Sequence, residues 1–192
     1  MVSYMRVVAG DRKGMPLKAM PGNNTRPTTD KVKESIFNMI GPFFDGGIAL
    51  DLFAGSGGLG LECLSRGMER VVFVEKDRKA YSIVKENVAK CRYEEEAEVF
   101  CNDAARAVKA LIKRDIVFDV VLFDPPYHKA EYYDLVRVLI DHGKVDPKGV
   151  IMCEHATDVT LPDAYGAFVC TRRETYGGVV VSIYRVAEEE GE

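Results

Sequence analysis

The chain has few signals for metal binding, export or phosphate chemistry. It contains no CxxC or HExxH motif, and His128, His142 and His155 are scattered, which leaves a bound metal without support. No apolar run approaches the ~18 residues of a membrane span. The N-terminal MVSYMRVVAGDRKG has no apolar core of the kind that directs export, so a cytoplasmic protein is expected. Its cysteines, Cys63, Cys91, Cys101, Cys153 and Cys170, are odd in number and widely spaced. That is a pattern of free thiols in a reducing compartment, not of a disulfide framework. No Gly-Lys-Ser/Thr follows the glycine-rich stretch, which excludes the ATP-type phosphate loop.

What is present fits one globular domain. A chain of 192 residues buries roughly 70% of its unfolded surface. The net charge of −4 argues against a nucleic-acid partner, but it hides an asymmetry. Residues 1–33 carry Arg6, Arg12, Lys13, Lys18, Arg26, Lys31 and Lys33 against Asp11 and Asp30, or +5, which leaves −9 for the remainder. A basic head on an acidic body fits either an RNA-docking segment or a merely solvated terminus.

Residues 5–9 and 16–20 read as two short strands, followed by turn-rich PGNNTRPTTDK with Thr28, Thr29 or Asp30 placed to cap a helix. That helix carries Val32, Ile36, Phe37, Met39 and Ile40 at helical spacing. From residue 48 strands and helices alternate: IALDL, GLGLECLSR, RVVFV, a helix after Asp77, AEVFC, a helix with Val108 and Leu111, DVVLF, helix 131–142, and VIMCE. Such alternation builds a doubly wound α/β sheet, mostly parallel and covered on both faces. FVCTRRE and VVVSIYR flank TYGG without room for a crossover helix, so an antiparallel hairpin closes the sheet. The expected organisation is a basic hairpin or arm over 1–27, a catalytic domain over 28–186 and an acidic tail over 187–192.

DLFAGSGGLG (51–60) contains Gly55-x-Gly57-x-x-Gly60 between a strand and a helix. Glycine lets backbone approach a ligand, and a helix N-terminus presents unpaired N–H groups. Glu75 closes the next strand, placed to accept hydrogen bonds from ribose hydroxyls. Asp51, ahead of the first glycine, can face a cation, which favours S-adenosylmethionine, with its amino and sulfonium groups, over a dinucleotide. Asp103 fits two roles, an acceptor for the adenine amino group or a helix N-cap.

In DVVLFDPPYHK (119–129) an apolar strand runs into an acid, two prolines and an aromatic ring. One proline suffices to end a strand. The Asp124 carboxylate and the Pro125 carbonyl can instead accept the two hydrogens of a planar amine, favouring a pyramidal nitrogen whose lone pair faces an activated methyl. Pro126 stiffens the turn and Tyr127 stacks on the amine's ring. Orientation and electrostatics suffice for such a transfer.

DLFAGSG, VEKD and DPPY in this order are similar to the class I amino-methyltransferases. With MRVVAGDRKG, RPTTDKVKESIFNMI, GGLGLECLSRG and TYGGVVVSIYR added, nearly the whole chain resembles the RsmD family, which methylates the 2-amino group of a guanine in bacterial 16S rRNA. The resemblance implies a Rossmann-like sheet of seven strands and a cofactor, S-adenosylmethionine, at Asp51, Phe53, Gly55, Gly57, Glu75 and Asp103. It places catalysis on Asp124, Pro125, Pro126 and Tyr127. It places RNA engagement on the N-terminal segment, with Arg6, Arg12, Lys13, Lys18 and Arg26, in a monomer acting on a small-subunit particle. The acidic body and His128-Lys129 depart from that pattern. The same tetrapeptide also serves methylation of DNA adenine or cytosine and of protein glutamine, although the DNA reading lacks a target-recognition domain. A nicotinamide oxidoreductase has no use for Asp51 plus DPPY, and a non-catalytic RNA-binding assembly factor has none for an intact Asp124 and Glu75.

Overall fold

A computed structural model of the chain describes residues 5–21, 29–126 and 130–188. Arg26, Tyr127, His128 and Lys129 lie outside the described residues, as does the expected boundary after residue 27. A small antiparallel pair, β1 (Met5–Arg6) and β2 (Pro16–Leu17), precedes α1 (Asp30–Ile40). The alternating region follows: β3 (Ile48–Asp51), α2 (Gly58–Ser65), β4 (Arg70–Glu75), α3 (Arg78–Lys90), β5 (Ala97–Cys101), α4 (Ala104–Leu111), β6 (Phe118–Phe123), α5 (Ala130–Asp141) and β7 (Val145–Ala156). The chain closes with β8 (Ala164–Tyr165), β9 (Phe168–Tyr176) and β10 (Val179–Val186). No helix among the described residues is long and apolar enough to cross a membrane.

The main sheet has the order β5-β4-β3-β6-β7-β10-β9-β8. Strands β5 to β7 pair in parallel, and β10 enters antiparallel between β7 and β9. The chain winds from β3 towards one edge and then returns to place β6 on the other side of β3. In open α/β sheets this switch point, at the strands' C-terminal ends, is where ligands bind. The described sheet has eight strands where the resemblance implied seven. The extra one is the two-residue β8, which pairs along β9 and shortens its exposed edge.

Both faces are buried, which is why the strands read as continuous apolar runs. Successive side chains alternate across the sheet. Ala49, Val71, Phe73, Val120 and Leu122 pack with Ile36, Phe37, Leu61 and Val84 from α1, α2 and α3. Leu50, Val72, Val74, Val121 and Phe123 pack with Val108, Leu111, Val136 and Leu139 from α4 and α5. Thr29, Asp77 and Asp103 are the N-caps of α1, α3 and α4, each accepting an amide of the first turn.

The N-terminal ladder is shorter than the two five-residue strands expected from sequence. Met5–Arg6 pair with Pro16–Leu17, and backbone bonds from Val7 to Met15 and from Gly14 to Val7 continue the hairpin. Beyond them the Val8 and Ala9 amides are taken by the Glu62 carboxylate at 2.9 and 3.0 Å. Glu62 is fully buried in α2, flanked by Arg66 and Lys33. Lys33 donates onward to the Arg6 carbonyl at 2.9 Å. Met5, Val7 and Leu17 belong to the same core as α1, α2 and α3. The hairpin is thus welded to the sheet by packing and by buried polar groups.

Candidate active site

The glycine loop between β3 and α2 divides three tasks among its glycines. Gly55 has φ +59, and a Cβ there would meet nothing within 4 Å, so its outer side is open to a ligand. Gly57, at φ +87, is the left-handed residue from which α2 starts. Gly60 faces inward: a Cβ would lie 2.3 Å from the Phe73 ring, so its absence sets the distance between α2 and β4.

Asp51, at the end of β3, is 2% exposed and accepts the Gly60 amide at 3.1 Å. Burial pushes its carboxyl up to about 7, and the nearby Glu75 adds to the shift against that hydrogen bond. No cation pairs with it among the described residues.

Glu75 ends β4. Its Oε1 accepts the Gly55 amide at 2.9 Å and its Oε2 the Asp77 amide at 2.8 Å. Burial nevertheless pushes its carboxyl above the ordinary value. Each oxygen keeps a second lone pair for a ligand hydroxyl. Across the β4–β5 pair, the Asn102 amide bonds the Glu75 carbonyl, which brings Asp103 to the same edge. Asp103 Oδ2 caps α4 by accepting the Arg106 amide at 3.3 Å. The capping role is therefore present, and Oδ1 is left over for a second one.

Asp124 follows β6 directly, one strand from Asp51. It is half-buried, Pro125 is buried and Pro126 exposed. Phe53, from the glycine loop, stacks edge-on against Phe123 (5.1 Å) and Tyr132 (5.4 Å). That aromatic cluster fills the gap between the glycine loop and the Asp124 turn. The sequence reasoning passed over Glu154, which lies beside Asp124 on β7, one residue beyond the Phe123–Cys153 pair. The signal was available. In the spatial order β4-β3-β6-β7, each apolar run reaches this edge at an acid: Glu75, Asp51, Asp124 and Glu154.

The basic residues of the head are mostly engaged within the chain. Arg6 pairs with Asp30 at 2.7 Å and Lys18 with Glu86 at 3.3 Å, both exposed. Arg12 donates to the Cys91 carbonyl at 2.7 Å and stacks on Tyr93. Lys13 is exposed at the turn of the hairpin. The hairpin also reaches the glycine loop through Asn87. This fully buried side chain accepts the Lys18 amide and donates to the Lys18 and Ser56 carbonyls at 2.8 to 2.9 Å.

A doubly wound sheet with an inserted antiparallel strand, a glycine loop and a ribose-type acid at the switch point, and Asp-Pro-Pro on the adjoining strand is the arrangement of a class I methyltransferase fold. A family model described as "Conserved hypothetical protein 95" matches residues 5–185. The chain belongs to that family, the RsmD family that its motifs resemble. It is 50% identical over 181 residues to the Bacillus subtilis protein named "Putative rRNA methyltransferase YlbH", covering 94% of this chain and 98% of that one. It is 32% identical over 157 residues to ribosomal RNA small subunit methyltransferase D of Haemophilus influenzae, covering 82% and 81%. Among solved structures, a "Putative methyltransferase yhhF" of Escherichia coli superposes with a TM-score of 0.81 at 28% identity, over 96% of this chain and 100% of that one. A Streptococcus pyogenes protein described as conserved hypothetical does so at 0.74 and 37% identity, over 80% and 94%.

Proposed function

We propose that this protein transfers a methyl group from S-adenosylmethionine to the exocyclic 2-amino group of a guanine in bacterial 16S rRNA, as a cytoplasmic monomer acting on a small-subunit particle. The observation that carries the reading is the adjacency of two devices. The Asp124-Pro125 turn and the Asp51–Gly55–Glu75 loop open side by side at the ends of neighbouring strands β6 and β3. The relatives named as ribosomal RNA methyltransferases support RNA as the substrate.

The residues present fit the cofactor. Asp51 is a buried acid with no cation partner among the described residues, suited to a ligand's positive charge. The open side of Gly55 admits the ligand against backbone, Glu75 has acceptor capacity for ribose hydroxyls, and Asp103 Oδ1 has it for the adenine amino group. Phe53 lines the same side. When bound, S-adenosylmethionine supplies a methyl already activated by sulfonium.

The chain's own task is to make a poor nucleophile attack. A guanine amino group is planar because its lone pair is delocalised. Asp124 and the Pro125 carbonyl accept its two hydrogens and favour the pyramidal form, while Tyr127 stacks on the flipped base. Lys13 and the rest of the basic head meet RNA phosphates. The test is to map tritiated methyl groups on the ribosomal RNA of small-subunit particles taken from a strain lacking the gene. Label on one guanine N2 of 16S rRNA supports the reading. Label on adenine, on cytosine or nowhere in 16S rRNA overturns it.

A further inference from the structure

Asp124 and Glu154 stand on neighbouring parallel strands in the positions after Phe123 and Cys153, so their side chains emerge together at the switch point. Glu154 is 8% exposed, and its Oε2 has no N–H or O–H donor among the described residues. The group in the register-adjacent position is the Asp124 carboxyl, a like charge that faces it. Two carboxyls held side by side away from water and without a counter-cation resist full ionisation, so one of them keeps a proton. No Lys or Arg ion-pairs with either group among the described residues. The groups around them do not supply positive charge. Asp51 on β3 is acidic, Cys153 on β7 is a buried thiol, and Tyr133 on α5 donates its hydroxyl to the Glu154 backbone carbonyl at 2.9 Å.

We infer that Glu154 is a positioning residue that makes Asp124 the proton acceptor of the amine: the two carboxyls hold one proton in the resting protein, release it when a cationic ligand fills the site, and take it back from the nitrogen. This rests on the proposed function. As the nitrogen bonds to the methyl, one N–H bond breaks and an Asp124 O–H bond forms. The positive charge on nitrogen is thereby neutralised, and the new O–H donates to Glu154. The neutral methylated amine leaves and the pair is back in its resting state, one proton between two carboxyls. A lone carboxylate accepts hydrogen bonds but is a weak base. A second carboxylate beside it disfavours full ionisation of the pair and strengthens the base. Burial and Glu154 together hold the Asp124 carboxyl well above the usual carboxylate range, as this role requires.

The test compares the wild type with Glu154→Gln, which keeps the shape but cannot share the proton, and with Glu154→Asp, which can. Proton release on S-adenosylmethionine binding is measured by calorimetry near pH 7 in buffers of different ionisation enthalpy. Asp51 is present in all three proteins, and Glu154→Asp keeps the charge that it feels, so the comparison of Glu154→Gln with Glu154→Asp isolates the pair. Glu154→Gln should release about one proton fewer, and Glu154→Asp should match the wild type. In single-turnover methylation, Glu154→Gln should lower the plateau by ~10-fold or more and move the acid limb down by about one pH unit or more, with Glu154→Asp restoring both. Equal proton release with superimposed pH profiles would overturn the inference while leaving the proposed function intact. A wild type that transfers no methyl to 16S rRNA, yet still differs from Glu154→Gln in proton release, would overturn the function and keep the pair.

Discussion

Glu75 Oε1 accepts the Gly55 amide at 2.9 Å, so the acid that closes β4 also fixes the turn at which β3 hands over to α2. In the proposed site this acid also serves the ribose, which ties ribose recognition to the shape of the loop. Glu75→Ala should therefore weaken S-adenosylmethionine by ~10- to 100-fold, since a hydrogen bond to a charged acceptor contributes roughly 1.5–3 kcal/mol. Turnover at saturating cofactor should fall much less. Calorimetry gives the affinity, and an unchanged value would remove Glu75 from the site.

The raised Asp51 carboxyl makes cofactor binding depend on pH. Its value of about 7 in the folded chain lies above its ordinary 3.8. The neighbours that face it are Glu75 on β4, Asp124 on β6, the Cys63 thiol on α2 and the Gly60 amide. Cys63 is held well above its usual range and stays neutral, and both acids gain charge in the same direction as Asp51. Affinity for a cationic ligand should be full above about pH 7 and fall, by up to tenfold per unit, as the pH drops below it. The ligand-free protein runs the other way. With the folded value raised, the Asp51 contribution to stability is fully present below its unfolded value and is lost as the pH rises through about 7. Thermal melting with and without cofactor between about pH 5.5 and 8 checks both signs. A ligand-induced shift that does not grow with pH would contradict the assignment.

The hairpin supplies a third prediction. Met5, Val7 and Leu17 are core residues, and Asn87 ties Lys18 to Ser56 of the glycine loop. Asn87→Ala leaves buried backbone groups without partners at ~1–3 kcal/mol each. It should lower the melting temperature and the cofactor affinity together, as removal of residues 1–21 should. RNA docking is better probed at Lys13, which is exposed, than at Arg12, whose guanidinium is held by Cys91 and Tyr93. Lys13→Ala should spare stability and flatten the salt dependence of RNA binding by nearly one unit of slope. An unchanged slope would place RNA elsewhere.

Asp51, Gly55, Glu75 and Asp124 were legible in the sequence because each interrupts or closes an apolar run, and a buried parallel strand has no other reason to meet an acid or a glycine at that end. The parallel character of the sheet followed from the alternation of the same runs with helices. Glu154 carries the same signal, since it ends the run VIMCE, but that run was read only for its hydrophobicity; in the fold β7 continues two residues past it. Glu62 and Asn87 were illegible. Their partners Val8, Ala9 and Lys18 lie 53 to 69 residues away in sequence, and only the folded topology brings them together. The short β1–β2 ladder was misjudged for the same reason, since Glu62 competes for its amides. The two-residue β8 lies below the length at which periodicity can speak.

The most direct test of the amine-holding site is Asp124→Ala in single-turnover methylation of ribosomal RNA, with S-adenosylmethionine affinity measured on the same preparation. In the proposed site Asp124 faces the amine, while Asp51, Gly55 and Glu75, gathered on the neighbouring strands, serve the nucleotide. Affinity should stay near the wild-type value, and the transfer rate should fall by at least ~100-fold, as loss of one preorganised polar group does at other sites. A variant that binds cofactor and transfers methyl at close to the wild-type rate would contradict the account.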